Sequence, residues 1–142
     1  MRDCNAVYGG EISAHHYFRD FFYCDSGMIP WLIISQLLNG TKDNLRNLVQ
    51  IQKGRFPSSG EINFKVANID AVLKTVETLY SSQASDIDRS DGLSFMFGDW
   101  RFNLRRSNTE QLVRLNVERC GGATKIQEKV DNIADLLGGT KI

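Results

Sequence analysis

Between Glu61 and Leu137 the hydrophobic pattern alternates between a period of two residues and a period of 3.6, and this succession restricts the fold more than any other feature of the chain. Ile62, Phe64 and Val66 alternate with Glu61, Asn63 and Lys65, as in a half-buried strand. Val72, Leu73, Val76, Leu79 and Tyr80 then take helical spacing. Residues 85–89 and 93–97 flank Ser90-Asp91-Gly92, a hairpin signal. A further strand is predicted over 100–104, and another where Val113, Leu115 and Val117 alternate with Arg114, Asn116 and Glu118. Ile126, Val130, Ile133, Ala134 and Leu137 form the stripe of a closing helix, which Gly138-Gly139 stops. The order strand, helix, three or four strands, helix predicts an α+β domain, an antiparallel sheet of four to five strands with two helices on one face.

Upstream, Pro57-Ser58-Ser59-Gly60 reads as the clearest linker of the chain. It divides the sequence into domains 1–57 and 58–142, with the boundary there or in the helix just before it. A short strand is predicted over Asn5–Tyr8, leading into Gly9-Gly10. Asp25 or Ser26 can cap the next helix, and Pro30 suits its first turn. Trp31, Leu32, Ile33, Ile34, Leu37 and Leu38 make that helix apolar on most sides, so it expects to be buried. It is also a candidate surface for self-association through 28–38. A second helix is predicted from Thr41 or Asp43 to near Gly54.

Lys and Arg total 17 and so do Asp and Glu. Zero formal charge argues against nucleic acid or an anionic membrane as the main partner, but leaves room for a local basic site. The longest apolar stretch, 28–38, is too short to span a bilayer and is interrupted by Pro30, Ser35 and Gln36. No basic, then apolar, then small-residue start is present, so no signal peptide is expected. Cys4, Cys24 and Cys120 lack CxxC spacing, which predicts neither a disulfide framework nor a zinc site. Thiols of that kind suit a reducing, cytoplasmic setting.

The densest chemistry is Arg105-Arg106-Ser107-Asn108-Thr109-Glu110, at a turn between two predicted strands. A guanidinium is a forked, permanently charged donor, and hydroxyls and turn amides can close around the remaining oxygens of a phosphate. Ser-Asn-Thr is equally ordinary turn chemistry. A second segment favours the phosphate reading. Gly9-Gly10-Glu11-Ile12-Ser13-Ala14-His15-His16-Tyr17-Phe18-Arg19-Asp20 resembles the sugar-recognition loop of the α-D-phosphohexomutases. Residues 105–110 resemble the phosphate-binding loop of their last domain, and 86–92 and 99–104 also resemble that family, most closely its bacterial phosphomannomutases. The resemblance runs from about Asn5 to Leu137.

The resemblance implies a last domain similar in fold to TATA-box-binding protein, preceded by the helical end of an α/β third domain. Such fold similarity carries no implication of DNA binding. By resemblance, Arg105, Ser107, Asn108 and Thr109 hold the phosphate distal to the reacting end. Arg106 falls at a variable position and is read as a solvated neighbour. Close relatives continue Thr-Glu-Pro, whereas Gln111 stands here, which loosens the loop exit without removing a donor. Glu11 and Ser13 are implied to grip sugar hydroxyls, because a carboxylate accepts from two at once. His15 is the implied proton donor or acceptor near the reacting hydroxyl.

The family reaction also needs a phosphorylated serine and Mg2+. The serine lies in a Ser-His-Asn type loop and the cation in an Asp-Gly-Asp-x-Asp-Arg type loop, and neither occurs in this sequence. Asp86-Ile87-Asp88-Arg89 lacks the glycine and third aspartate of the metal loop, so no metal site is expected in this chain. The resemblance therefore implies a phosphomannomutase handling mannose or glucose 1- and 6-phosphates, with this segment alone inactive. The alternatives are a non-catalytic phosphosugar-binding or interaction module, or the remnant of a truncated gene.

Overall fold

A computed structural model describes residues 1–11, 13–107, 109–121 and 125–142. The chain divides into two units, Met1–Leu48 and Val49–Ile142. In the first, strands β1 (Tyr8–Gly10), β2 (His16–Phe18) and β3 (Cys24–Asp25) form a small antiparallel sheet in that order. Its register sets Gly10 opposite His16 and Tyr17 opposite Asp25. The predicted strand over Asn5–Tyr8 begins later, at Tyr8. Before it the backbone amides of Asn5 and Ala6 bond back to Arg2 and Met1, and Asn5 takes φ +48°. Two successive left-handed residues, Phe22 and Tyr23, return the chain into β3.

Helix α1 (Met28–Gly40) starts where Ser26 Oγ accepts the amide of Ile29, with Pro30 in the first turn. Sequence reasoning expected this helix to be buried. Within its unit it has no fully buried residue, and Met28, Trp31, Leu32, Ile33, Ile34 and Leu37 are exposed. Strands of two and three residues are too short to cover a 13-residue helix. Helix α2 (Leu45–Arg55) follows, capped by Asn44, whose side chain accepts the amide of Asn47. That start is later than either predicted one, Thr41 or Asp43. No described helix is long and apolar enough to cross a membrane.

The second unit contains the predicted α+β fold. Strand β4 (Ile62–Lys65) leads to helix α3 (Ile69–Tyr80), and then to β5 (Asp86–Asp88), β6 (Leu93–Phe97), β7 (Trp100–Arg106) and β8 (Val113–Arg119). Helix α4 (Ile126–Leu137) and β9 (Thr140–Lys141) complete it. The strands form one antiparallel sheet, ordered β5-β6-β7-β8-β4-β9. It has six strands where four to five were expected, because a two-residue edge strand past Gly138-Gly139 is too short to show a period.

Alternation on the strands builds the core. Phe64, Phe95, Phe102, Leu104, Val113, Leu115 and Val117 all turn inward, where Val76 of α3 and Val130, Ile133 and Leu137 of α4 join them in one cluster. Phe95 and Phe102, paired across β6 and β7, stack at 4.9 Å, and Tyr80 meets Phe102 edge-on at 5.0 Å. Asn68 caps α3 by accepting the amide of Ala71 at 3.0 Å. Pro57–Gly60 runs beside β8, where Ser59 Oγ accepts the Val117 amide at 2.9 Å and the Ser59 amide donates to Val117 O.

Candidate functional site

The first cluster of polar chemistry lies on the turn that joins β1 to β2. Glu11 N–H donates to His15 O and Ala14 N–H donates to Glu11 O, closing a tight loop with Ala14 at φ +65°. A non-glycine residue in that region costs roughly 1–2 kcal/mol, the kind of strain found at sites that bind. Glu11 and Ser13 are brought together: the Ser13 hydroxyl donates to Glu11 Oε2 at 3.0 Å. The Tyr17 hydroxyl donates to Glu11 Oε1 at 2.7 Å. These two bonds, Tyr17's first, lower the pKa of Glu11 and so keep it an ionised acceptor. Each carboxylate oxygen retains a lone pair for an outside hydroxyl. His15 Nδ1 lies 2.8 Å from Asp25 Oδ2, and Asp25 Oδ1 accepts the His16 amide at 2.9 Å. The bond to Asp25 raises the pKa of His15, and the His15 and His16 bonds lower that of Asp25. Tyr17 and Asp25 carry no signal in the sequence, since what recruits them is a strand register. His16 is engaged elsewhere, its Nδ1 2.7 Å from the Tyr8 hydroxyl.

The second cluster lies at the β7–β8 turn. Strand β7 extends two residues further than predicted, because Arg105 and Arg106 still pair with Arg114 and Val113. The arginines therefore leave opposite faces of the sheet. Arg105 shares the outer face with Arg114 and Glu61, and its Nη2 donates to Glu61 Oε2 at 2.9 Å. Arg114 Nη1 lies 3.5 Å from Glu61 Oε1. Two guanidinium groups against one carboxylate leave one net positive charge. All three side chains are about three-quarters buried. Arg106 pairs instead with Asp70 at the start of α3, and its side chain is 53% exposed, so it is a solvated neighbour as expected, though one with an ion partner. It lines a cavity of about 530 Å³ with Asn68, Asp70, Ser107, Thr109 and Gln111, which Arg105 does not enter.

Ser107 is the one buried polar residue among the described residues, 5% exposed. Its amide closes the turn on Leu112 O at 2.9 Å. Its Oγ faces three donors: Thr109 N at 3.4 Å, Glu110 N at 3.3 Å and Arg114 Nη2 at 3.3 Å, with the Thr109 hydroxyl at 3.5 Å. All exceed the usual 2.7–3.2 Å, and a hydroxyl oxygen has only two lone pairs. Arg114 Nε is buried with no hydrogen-bond partner among the described residues. The turn thus gathers more donor capacity than its own acceptors use. Asn108 lies outside the described residues. Arg114 escaped the sequence reading: its outer-face position was legible, but its pairing opposite Arg105 depends on register.

Among the described residues no three His, Cys, Asp or Glu side chains are grouped to hold a metal ion. At 86–89, Asp88 accepts both the amide and the hydroxyl of Ser90, and Arg89 binds Glu77. These residues do not fit a cation loop.

Comparison with known proteins agrees in both units. Residues 1–54 match the family model for phosphoglucomutase/phosphomannomutase, alpha/beta/alpha domain III, and residues 61–136 match that for the C-terminal domain of the same proteins. The chain is 52% identical over 139 residues to a protein of Xanthomonas campestris pv. campestris described as "Phosphohexose mutases", covering 98% of this chain and 31% of that one. It is 50% identical over 137 residues to a phosphomannomutase of Escherichia coli strain K12, covering 96% and 30%. A crystal structure of a phosphoglucomutase/phosphomannomutase family protein from Burkholderia thailandensis matches with a TM-score of 0.68 at 25% identity, over 99% of this chain and 31% of that one. The chain thus spans about a third of the length of the relatives it matches. Sequence, fold and both domain matches agree that it belongs to the phosphoglucomutase/phosphomannomutase family, whose third-domain end and C-terminal domain it carries.

Proposed function

We propose that this chain is the substrate-holding part of a phosphomannomutase that interconverts mannose 6-phosphate and mannose 1-phosphate. In this reading Glu11 and Ser13 hold sugar hydroxyls, and His15 exchanges a proton with the reacting hydroxyl. Arg105, Ser107, Asn108 and Thr109, joined by Arg114, hold the distal phosphate. The observation that carries it is the surplus of donors at Ser107, where a backbone pair and a guanidinium wait at 3.3–3.4 Å on one neutral oxygen. A phosphate oxygen is a better acceptor for all of them. Glucose phosphates are accepted in the same reading if they offer Glu11 a workable hydroxyl pair.

Phosphoryl transfer depends on positioning and charge stabilisation. When bound, Mg2+ and a phosphoserine supply the charge neutralisation and the phosphoryl carrier; the sequence carries the loop motif of neither, and no group of side chains among the described residues fits the cation. The chain by itself is therefore expected to bind without turnover.

The test is a pair of measurements on the chain. Mannose 6-phosphate and inorganic phosphate are both expected to shift the amides of Ser107 and Thr109, and mannose 6-phosphate and mannose those of Glu11 and Ser13. A coupled assay with mannose 6-phosphate, a hexose bisphosphate and magnesium is expected to show no product. Absence of shifts at both clusters up to tens of millimolar, or turnover that survives removal of host mutases, overturns the proposal.

A further inference from the structure

We infer that Asp25 is a positioning residue for His15: it fixes the imidazole as the Nδ1–H tautomer and so leaves Nε2 as the atom that exchanges a proton with the substrate. The inference rests on the reading of His15 as the acid–base group of the sugar loop, and goes beyond it by assigning the atom and the residue that selects it.

The geometry supplies the argument. Asp25 Oδ2 lies 2.8 Å from His15 Nδ1. An ionised carboxylate is an acceptor only, so the hydrogen between them belongs to Nδ1. In neutral imidazole the other nitrogen then bears the lone pair. Nε2 has no partner among the described residues, and the His15 side chain is 52% exposed, so that lone pair is open to a ligand. Asp25 cannot readily turn away. Its second oxygen is held by the His16 amide at 2.9 Å, and the Ser26 amide donates to His16 O at 2.9 Å. Asp25 also stands opposite Tyr17 in the β2–β3 register. A backbone frame thus aims the carboxylate, and the carboxylate aims the ring.

The same arrangement serves both directions of proton exchange. When the substrate hydroxyl gives its proton to Nε2, the ring becomes imidazolium with Asp25 as counter-ion, and the proton returns from Nε2 when the oxygen is phosphate-free again. The charged or titratable groups facing His15 are the carboxylates of Asp25 and Glu11 and the Tyr17 phenol, whose ring stacks at 6.5 Å. Both carboxylates favour the protonated ring. The neighbour His16 provides contrast, since its Nδ1 meets a tyrosine hydroxyl, which can donate or accept.

Long-range proton–nitrogen correlation spectra of the nitrogen-15-labelled chain, recorded through a pH titration, test the inference. The wild-type chain is expected to show His15 with Nδ1 protonated and Nε2 unprotonated above its pKa. Asp25→Asn, which keeps an acceptor oxygen but removes the charge, should lower that pKa and leave the His16 ring unchanged. Asp25→Ala should release the tautomer toward Nε2–H. A wild-type His15 already in the Nε2–H form overturns the inference, and so does a titration and tautomer ratio that neither variant alters. Unchanged amide signals of β1 and of Phe18 in Asp25→Asn, away from the His16 amide that Asp25 itself accepts, separate this from loss of the fold. Adding mannose keeps the underlying reading separate: if it shifts neither Glu11 nor Ser13 while the tautomer behaves as stated, the sugar-site reading fails and the positioning role stands.

Discussion

Exchanging the two adjacent arginines for alanine distinguishes a phosphate site on the outer face of the sheet from one in the cavity on its helical face. Arg105 and Arg106 leave opposite faces of β7. Arg105→Ala removes one charge from the Arg105–Arg114–Glu61 group, taking its sum from +1 to zero. A charge-assisted, forked contact is worth roughly 1.5–3 kcal/mol, and the Arg105 side chain is only 21% exposed, so the middle of that range is appropriate. About 2 kcal/mol is a loss of roughly thirtyfold in affinity. From a starting value near 1 mM, about 4 kcal/mol of binding, the variant falls to roughly 30 mM. Arg106→Ala acts only at a distance. At ~10 Å in water a unit charge contributes about 0.4 kcal/mol, a factor of about two. Its pairing with Asp70, both side chains largely exposed, adds little to stability. Phosphate titrations followed at the amides of Ser107 and Thr109, at low ionic strength to limit screening, read both variants directly. Equal losses, or a larger loss for Arg106→Ala, refute the reasoning and move the site to the cavity lined by Asn68, Asp70 and Arg106.

Three further outcomes follow from the same geometry. Glu61→Gln removes a carboxylate that competes with the phosphate for Arg105 and Arg114, so phosphate should bind more tightly by about 1 kcal/mol, roughly fivefold; weaker binding in the same titration would mean that Glu61 chiefly holds the arginines in place. Gly92→Ala forces a side chain onto a backbone at φ +73° and sets its Cβ 2.6 Å from Leu104 O and 2.8 Å from Arg105 Cα. Left-handed strain plus the required shift of β7 should cost about 2–4 kcal/mol and lower the melting temperature by roughly 10 °C or more, and unchanged melting contradicts it. The loop at 11–25 should hold together best over a pH window set by opposite shifts. Asp25 and Glu11 have depressed folded pKa values, so their contributions are present above the ordinary carboxylate range and are lost as pH falls through the folded values. His15 has a raised value, so its contribution is complete below its unfolded pKa near 6.5 and is lost as pH rises through the folded one. Protection of the β2 and β3 amides, with exchange corrected for its intrinsic pH dependence, should therefore be highest between these limits, and a flat protection profile from mildly acidic to mildly alkaline pH contradicts the assignment.

The sequence by itself determined the α+β domain, because period-two and period-3.6 patterns are local properties of a chain that must bury one face of each element. Val113, Leu115 and Val117 marked their strand, and Val130, Ile133 and Leu137 their helix, wherever the chain is placed. It also indicated the loops at Glu11–His15 and Arg105–Thr109, where hydroxyls, carboxylates and guanidinium groups lie close along the chain. The tertiary structure alone decided what those loops touch. Asp25 reaches His15 across β2 and β3, and Arg114 meets Ser107 and Glu61 through the pairing of β7, β8 and β4. Those encounters join residues 7 to 53 positions apart, and no local pattern records them. A shift of one residue in any of these strands would turn every such side chain to the other face, so the partners of the site are a property of the register.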